Sequence, residues 1–215
     1  MMKLYQYDHC PFCVRADMVA GWRQVPHEKV YLLNDDEQAH FDLIGAKMVP
    51  ILQYDDGRAI GESLDIVAAL DAIETGAPHL DPWDEVAPQS AALSSASRAV
   101  SCLLFPRNLR LGLPEFATPG AIAYFTERKE AIIGISFAQA MEETAAHKAD
   151  VEAMLAGMPE LAPPGDRLRM GDVLVYPVLR NLTMVKDLAF PAWMRAYLDR
   201  VTAICGTHLY DDRAI

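Results

Sequence analysis

Two cysteines three positions apart, in the run Asp8-His9-Cys10-Pro11-Phe12-Cys13, are the residues of this chain best suited to chemistry. Such a pair can close a small disulfide ring or share the work of opening one in another molecule. Pro11 suits the first position of a helix, where its missing N–H has no partner to lose. Cys10 then caps that helix and lies over its free N–H groups and positive end, which favour thiolate over thiol. Cys13 falls one turn later, close enough to attack a sulfur attached to Cys10. A structural zinc site needs about four ligands, and no second Cys-X-X-Cys or Cys/His pair accompanies this one. Cys102 and Cys205 stand alone in apolar, helix-like surroundings, and His9 is expected to point away if Cys10 is a cap. Redox chemistry is therefore favoured over metal or iron–sulfur ligation and over inert core cysteines.

The elements that must hold this pair follow from the local pattern. Residues 3–7 alternate as a short strand, Pro11 to about Gln24 has helical spacing, and His27–Leu33 reads as a second strand. Asn34-Asp35-Asp36-Glu37 opens a short helix ending near Gly45. Pro50–Tyr54 and Arg58–Ile60 are strands joined by an Asp55-Asp56-Gly57 hairpin turn, and Glu62-Ser63 begins a helix to about Glu74. The order is β-α-β-α-β-β-α, complete by residue 75. Residues 76–88, rich in Gly, Pro and polar side chains, read as a linker. Residues 89–215 then have helical period throughout. One helix face is marked by Ala92, Leu93, Ala96, Ala99, Val100, Leu103 and Leu104. Further helices are expected after Thr118-Pro119 and near 146–157, 171–186 and 191–204. The fold class is α/β followed by all-α, in two domains.

Composition narrows the setting. Apolar residues make up 52% of the 215, enough for a sizeable core, and 23% are charged. A net charge of −11 without a basic patch argues against nucleic acid as a partner. No uncharged apolar run reaches 18 residues, so no membrane-spanning helix is expected. Met1-Met2-Lys3 runs straight into strand sequence, with no cleavable signal expected. One catalytic-looking cysteine pair and two isolated cysteines suit a reducing, cytoplasmic setting.

A dithiol also needs something to hold its sulfur-bearing partner. Val49-Pro50 opens a strand, and proline at that place makes a cis peptide bond a realistic option. A cis bond would turn the Val49 N–H and C=O toward an incoming peptide. Gly61-Glu62-Ser63 starts a helix whose free N–H groups and Ser63 hydroxyl suit a carboxylate, while Glu62 can accept from an ammonium group. Taken singly, these are a strand-initiating proline and a helix cap.

Cys-Pro-Phe-Cys, Val-Pro and Glu-Ser, in that order and on those elements, resemble the glutaredoxins and the glutathione-transferase superfamily. The segments 7–13, 32–37, 47–52, 115–119, 124–131 and 177–183 are similar to the two-domain bacterial glutaredoxins, so the likeness runs nearly the whole length. The resemblance implies a thioredoxin-like domain followed by a transferase-like helical domain, with Cys10 and Cys13 as catalytic residues. It implies glutathione as co-substrate, contacted by Val49, Glu62 and Ser63 with Pro11, Phe12 and Pro50 beside them. No metal is implied. Expected partners are glutathionylated or disulfide-bearing proteins and small disulfides, acted on by a monomer. Lys47 and Arg15 are the nearest basic candidates for favouring the thiolate. One departure stands out: Arg169 occupies the place, three before Asp172, where transferases usually carry a Ser or Thr cap.

Overall fold

The computed structural model describes residues 1–215. Its first part runs β1 (Met2–Gln6), α1 (Pro11–Trp22), β2 (His27–Tyr31), α2 (Glu37–Ile44), β3 (Ile51–Gln53), β4 (Ala59–Ile60) and α3 (Ser63–Asp71), in the order expected. The α1 crossover makes β1 and β2 parallel, whereas β3 runs antiparallel to β1 and to β4, giving a sheet ordered β2-β1-β3-β4. Gly57 supplies the left-handed residue of the β3–β4 turn at φ 88°. β2 ends at Tyr31, short of the expected Leu33. Beyond it the chain turns toward the helical domain, where the Asn34 N–H donates to the Glu115 carbonyl at 2.9 Å.

The rest is helical: α4 (Ala87–Ser95), α5 (Ser97–Asn108), α6 (Pro119–Ile133), α7 (Phe137–Glu142), α8 (Thr144–Gly157), α9 (Met170–Leu182) and α10 (Ala192–Cys205). The apolar face from Ala92 to Leu104 belongs to two helices rather than one, broken at Ala96. Ser94, Ser95 and Ser97 crowd the break, and the Ser95 hydroxyl donates to the Ala92 carbonyl at 2.7 Å, offering the backbone an alternative to helix. α7 was not expected from its short apolar pattern; Ser136 starts it by accepting the Gln139 N–H. The missing Ser/Thr cap at α9 is replaced by charge. The Asp172 carboxylate accepts the Arg169 backbone N–H at 2.9 Å and both arms of its guanidinium at 2.9 and 2.7 Å.

The segment between the two parts is docked. Asp81 pairs with the chain before α9 through Asp81 N–H to Leu168 C=O and Met170 N–H to Asp81 C=O, both 2.8 Å. Helix α1 packs on α3 and also on α9 and α10, so one apolar core runs from Leu4 and Val19 through to Tyr176 and Leu198. Gly21 is where α1 meets the end of α10. A Cβ there would lie 1.9 Å from the Cys205 carbonyl oxygen, a backbone atom with little room to yield. Gly21→Ala should therefore lower stability by about 1–3 kcal/mol or more, read as a lower denaturant midpoint. An unchanged midpoint would show that the two helices can separate freely.

Candidate active site

Cys10 is the N-cap of α1, at φ −76° and ψ 117°, with Pro11 at the first helical position as the sequence predicts. Cys10 is partly exposed and Cys13 is buried, both as free thiols. Next to each other, the two sulfurs titrate in opposite directions. The Cys10 thiol is pushed down to about 6, chiefly by the hydrogen bond from the Cys13 thiol, then by the His9 charge and the N–H groups of Cys13 and Phe12; these outweigh burial. Burial pushes Cys13 well up, helped by the Cys10 thiolate. The result is one thiolate and one thiol at neutral pH, and the thiolate is the more reactive form of a cysteine sulfur.

The basic residues are distributed differently from expectation. Lys47 is engaged elsewhere: its Nζ donates to the Tyr7 hydroxyl at 3.0 Å and the Asn34 carbonyl at 2.7 Å. The Tyr7 hydroxyl also meets His40 Nε2 at 3.0 Å, and burial keeps it protonated. Arg15 and Lys129 are the cations on which the Cys10 charge acts. Arg15 lies over the half-exposed Phe12 ring at 4.9 Å and donates to the Ser63 hydroxyl at 3.4 Å. Lys129, which the sequence did not single out, packs its Nζ on the rings of Phe105 and Phe125. His9 does not point away. It lines the same cavity as Cys10, held by Glu115 through a 2.5 Å contact at Nδ1.

Two cavities adjoin along Phe12, Met48 and Val49, and Cys10 lines the larger of them. A side groove of about 420 Å³ is lined by Phe12, Arg15, Met48, Val49, Glu62 and Ser63. A larger space of about 1040 Å³ opens between the two domains, with Cys10, Pro11 and His9 on one wall and Leu104, Phe105, Tyr124 and Lys129 on the other. The Val49–Pro50 bond is cis, and the Val49 N–H and C=O have no partner within the protein. Glu62 precedes α3 at φ 61°, an uncommon conformation for a residue with a side chain, of the kind found at ligand clamps. Ser63 is buried at the first turn behind it. Of the sequence-predicted residues, Cys10, Pro11, Phe12 and Val49 line the larger space and Phe12, Val49, Glu62 and Ser63 the side groove, with Pro50 buried next to Val49 and Cys13 buried one turn after Cys10.

The helical domain builds part of the site, and the sequence reading assigned no role to its residues. Arg180 of α9 is buried and donates to the Asp8 carbonyl and carboxylate at 2.8 Å each and to the Tyr210 hydroxyl at 2.7 Å. Asn181 donates to the His9 carbonyl at 2.6 Å. Glu115, in a 3-10 turn at Pro114–Phe116, accepts the His9 backbone N–H at 3.1 Å. Three side chains from the second domain therefore fix the turn that delivers Cys10. Burial would raise the Asp8 carboxyl, but the hydrogen bond to His208 and the Arg180 charge prevail and hold it well below the usual carboxylate range. No group of three or more His, Cys, Asp or Glu side chains is placed to hold a metal ion, and no helix is long and apolar enough to cross a membrane.

Residues 90–214 match the family model "Glutaredoxin 2, C terminal domain", and residues 4–78 match "Glutathione S-transferase, N-terminal domain". Glutaredoxin 2 of Escherichia coli K12 is 35% identical over 226 aligned positions, covering all of both chains. The crystal structure of Glutaredoxin 2 from Salmonella typhimurium in complex with glutathione superposes with a TM-score of 0.92 at 35% identity, covering 100% of this chain and 99% of that one. The glutathione transferase GSTFuA2 of Phanerochaete chrysosporium, at 13% identity and a TM-score of 0.62 over 96% of this chain and 99% of its own, shares the fold. A thioredoxin-like domain followed by a helical domain, 35% identical to glutaredoxin 2 over the full length of both chains and matching its C-terminal family model, settles the family: the chain belongs to the glutaredoxin 2 family.

Proposed function

We propose that the protein is a glutathione-dependent thiol–disulfide oxidoreductase that reduces glutathione mixed disulfides and protein disulfides. The observation that carries this reading is the split pair itself: a Cys10 thiolate on the wall of the interdomain cavity with a protonated Cys13 buried one turn later. In the exchange route Cys10 attacks the glutathione sulfur of a mixed disulfide, the substrate leaves as a thiol, and a second glutathione removes the first as glutathione disulfide. In the dithiol route Cys13 attacks the disulfide that joins Cys10 to a protein. The substrate is released and the oxidised Cys10–Cys13 pair is left for glutathione to reduce.

Glutathione is assigned to the side groove. Its cysteinyl residue pairs with the free Val49 N–H and C=O, and its γ-glutamyl end reaches Glu62 and Ser63, with Arg15 adding a cation for a carboxylate. Pro11, Phe12 and Pro50 shape the passage to Cys10. The glutathione bound in the Salmonella relative supports this ligand. Replacing Glu62 and Ser63 together by Ala should raise the glutathione KM about tenfold or more, the value of one charged hydrogen-bond pair. Alkylation of Cys10 by a small reagent should change little. Unchanged glutathione kinetics would reduce these residues to a helix cap.

The competing reading is a glutathione transferase, in keeping with the transferase-like fold. It gives Cys13 no task, since activating glutathione for conjugation needs one group only. A paired assay separates the two: glutathione-dependent reduction of a mixed disulfide against conjugation of a chlorinated aromatic. Robust conjugation without disulfide reduction would overturn the oxidoreductase reading.

A further inference from the structure

His9 stands directly before the nucleophile, and its surroundings leave one nitrogen with work to do. The ring is stacked on Tyr7, 5.9 Å apart and 5° from parallel, with Phe116 tilted against it at 5.1 Å and Phe125 meeting it edge to face at 5.3 Å. Glu115 Oε1 takes both the His9 backbone N–H and Nδ1. A carboxylate only accepts, so Nδ1 carries a proton and Nε2 is the nitrogen that gains or loses one. Nε2 has no hydrogen-bond partner in the protein and is not sealed from solvent, and His9 lines the Cys10 cavity. Glu115 itself is fully buried, with Oε2 unpartnered. A tie between domains could be made from neutral groups without burying a carboxylate so incompletely paired.

We propose that His9 is the proton-transfer residue of the thiol exchange and that Glu115 is its positioning residue. The inference rests on the oxidoreductase reading above. In the first step the Cys10 thiolate attacks the glutathione sulfur of a mixed disulfide. The bond between that sulfur and the substrate sulfur breaks, and the departing sulfur takes the proton from His9 Nε2. In the second step a glutathione thiol gives its proton to Nε2 and attacks the glutathionyl sulfur on Cys10. Glutathione disulfide forms, Cys10 leaves as thiolate, and His9 is again charged beside it. The titratable groups facing this ring are Glu115, Cys10 and Tyr7, with Lys129 beyond Phe125 and His40 beyond Tyr7.

The test follows thiol release in a single turnover of the reduced enzyme with two mixed disulfides of glutathione, one with cysteine and one with nitrothiobenzoate, so that the second step, common to both, does not enter the rates. An alkyl thiol departs faster with a proton supplied, whereas the acidic aryl thiol departs as the anion and gains nothing from one. Loss of the His9 charge slows Cys10 attack on both substrates alike, so the ratio of the two rates isolates proton delivery. In His9→Asn the cysteine disulfide should lose about a hundredfold relative to the aryl disulfide. Glu115→Gln, which keeps the shape but not the charge, should move the same ratio in the same direction by less. Equal losses on both disulfides in both variants would overturn the proposal and leave the pair as an interdomain tie. A wild-type enzyme that turned over neither disulfide would overturn the oxidoreductase reading instead.

Discussion

Cys10→Ser should abolish glutathione-dependent reduction of mixed disulfides, with a loss of at least about a thousandfold, the scale on which removing a covalent nucleophile acts. The magnitudes show what the depressed thiol contributes. At pH 7 a thiol titrating at about 6, rather than at its ordinary 9.0, is about 90% thiolate instead of about 1%. Nucleophilicity falls with basicity, and over that interval it costs about 15- to 30-fold. The net gain in attack is therefore only a few-fold. The larger gain comes in the second half-reaction, where Cys10 is the leaving group and a more acidic thiol leaves faster. Alkylation of wild-type Cys10 should titrate with a midpoint near 6 and fall about tenfold for each unit below it. Mixed-disulfide reduction by Cys10→Ser within a few-fold of wild type would mean that another group attacks.

What could be read in advance was local. The Cys-Pro-Phe-Cys helix start, the Val49-Pro50 turn and the Glu62-Ser63 cap each declare themselves within a few residues, because proline, cap and strand signals act on the backbone nearby. The groups that complete the site come from far along the chain. Glu115 reaches His9 across 106 residues, and Arg180 and Asn181 reach Asp8 and His9 across 172. No periodicity marks a buried glutamate or arginine, since its burial is made tolerable only by a partner that tertiary folding supplies. The segments holding Glu115 and Arg180-Asn181 could be matched to a family without their task being legible. His9 was misplaced for the same reason: its direction is set by Glu115 and by the rings of Tyr7, Phe116 and Phe125, not by the helix that follows it. The break at Ala96 was visible in principle as a serine cluster, but the apolar stripe through Leu104 masked it.

The two cysteines should also separate in a second mutant series, with effects on different assays. Cys13→Ser should keep glutathionyl exchange, which needs Cys10 alone, and lose reduction of protein disulfides that depends on internal attack. Cys13 lies one helical turn away and competes with free glutathione at high effective concentration. Its burial and the adjacent Cys10 thiolate keep it protonated while Cys10 is free. Once Cys10 is tied up in a disulfide, that opposing charge is gone and burial, with the Glu115 charge, is what still holds the proton, so the resolving attack is suppressed until it has a target. The Cys13 thiol is also the largest influence holding Cys10 down. Cys13→Ala, which has no donor, should therefore shift the Cys10 alkylation midpoint upward, the first unit costing about fivefold in thiolate at pH 6; Cys13→Ser retains an O–H and should shift it less. Cys102 and Cys205 are buried away from the site and their thiols are pushed up by burial, so replacing either by Ala should leave both assays active. A Cys13→Ser enzyme inactive in both assays would require an obligatory dithiol, and an unmoved midpoint in Cys13→Ala would assign the acidity of Cys10 to His9 and the helix N–H groups instead.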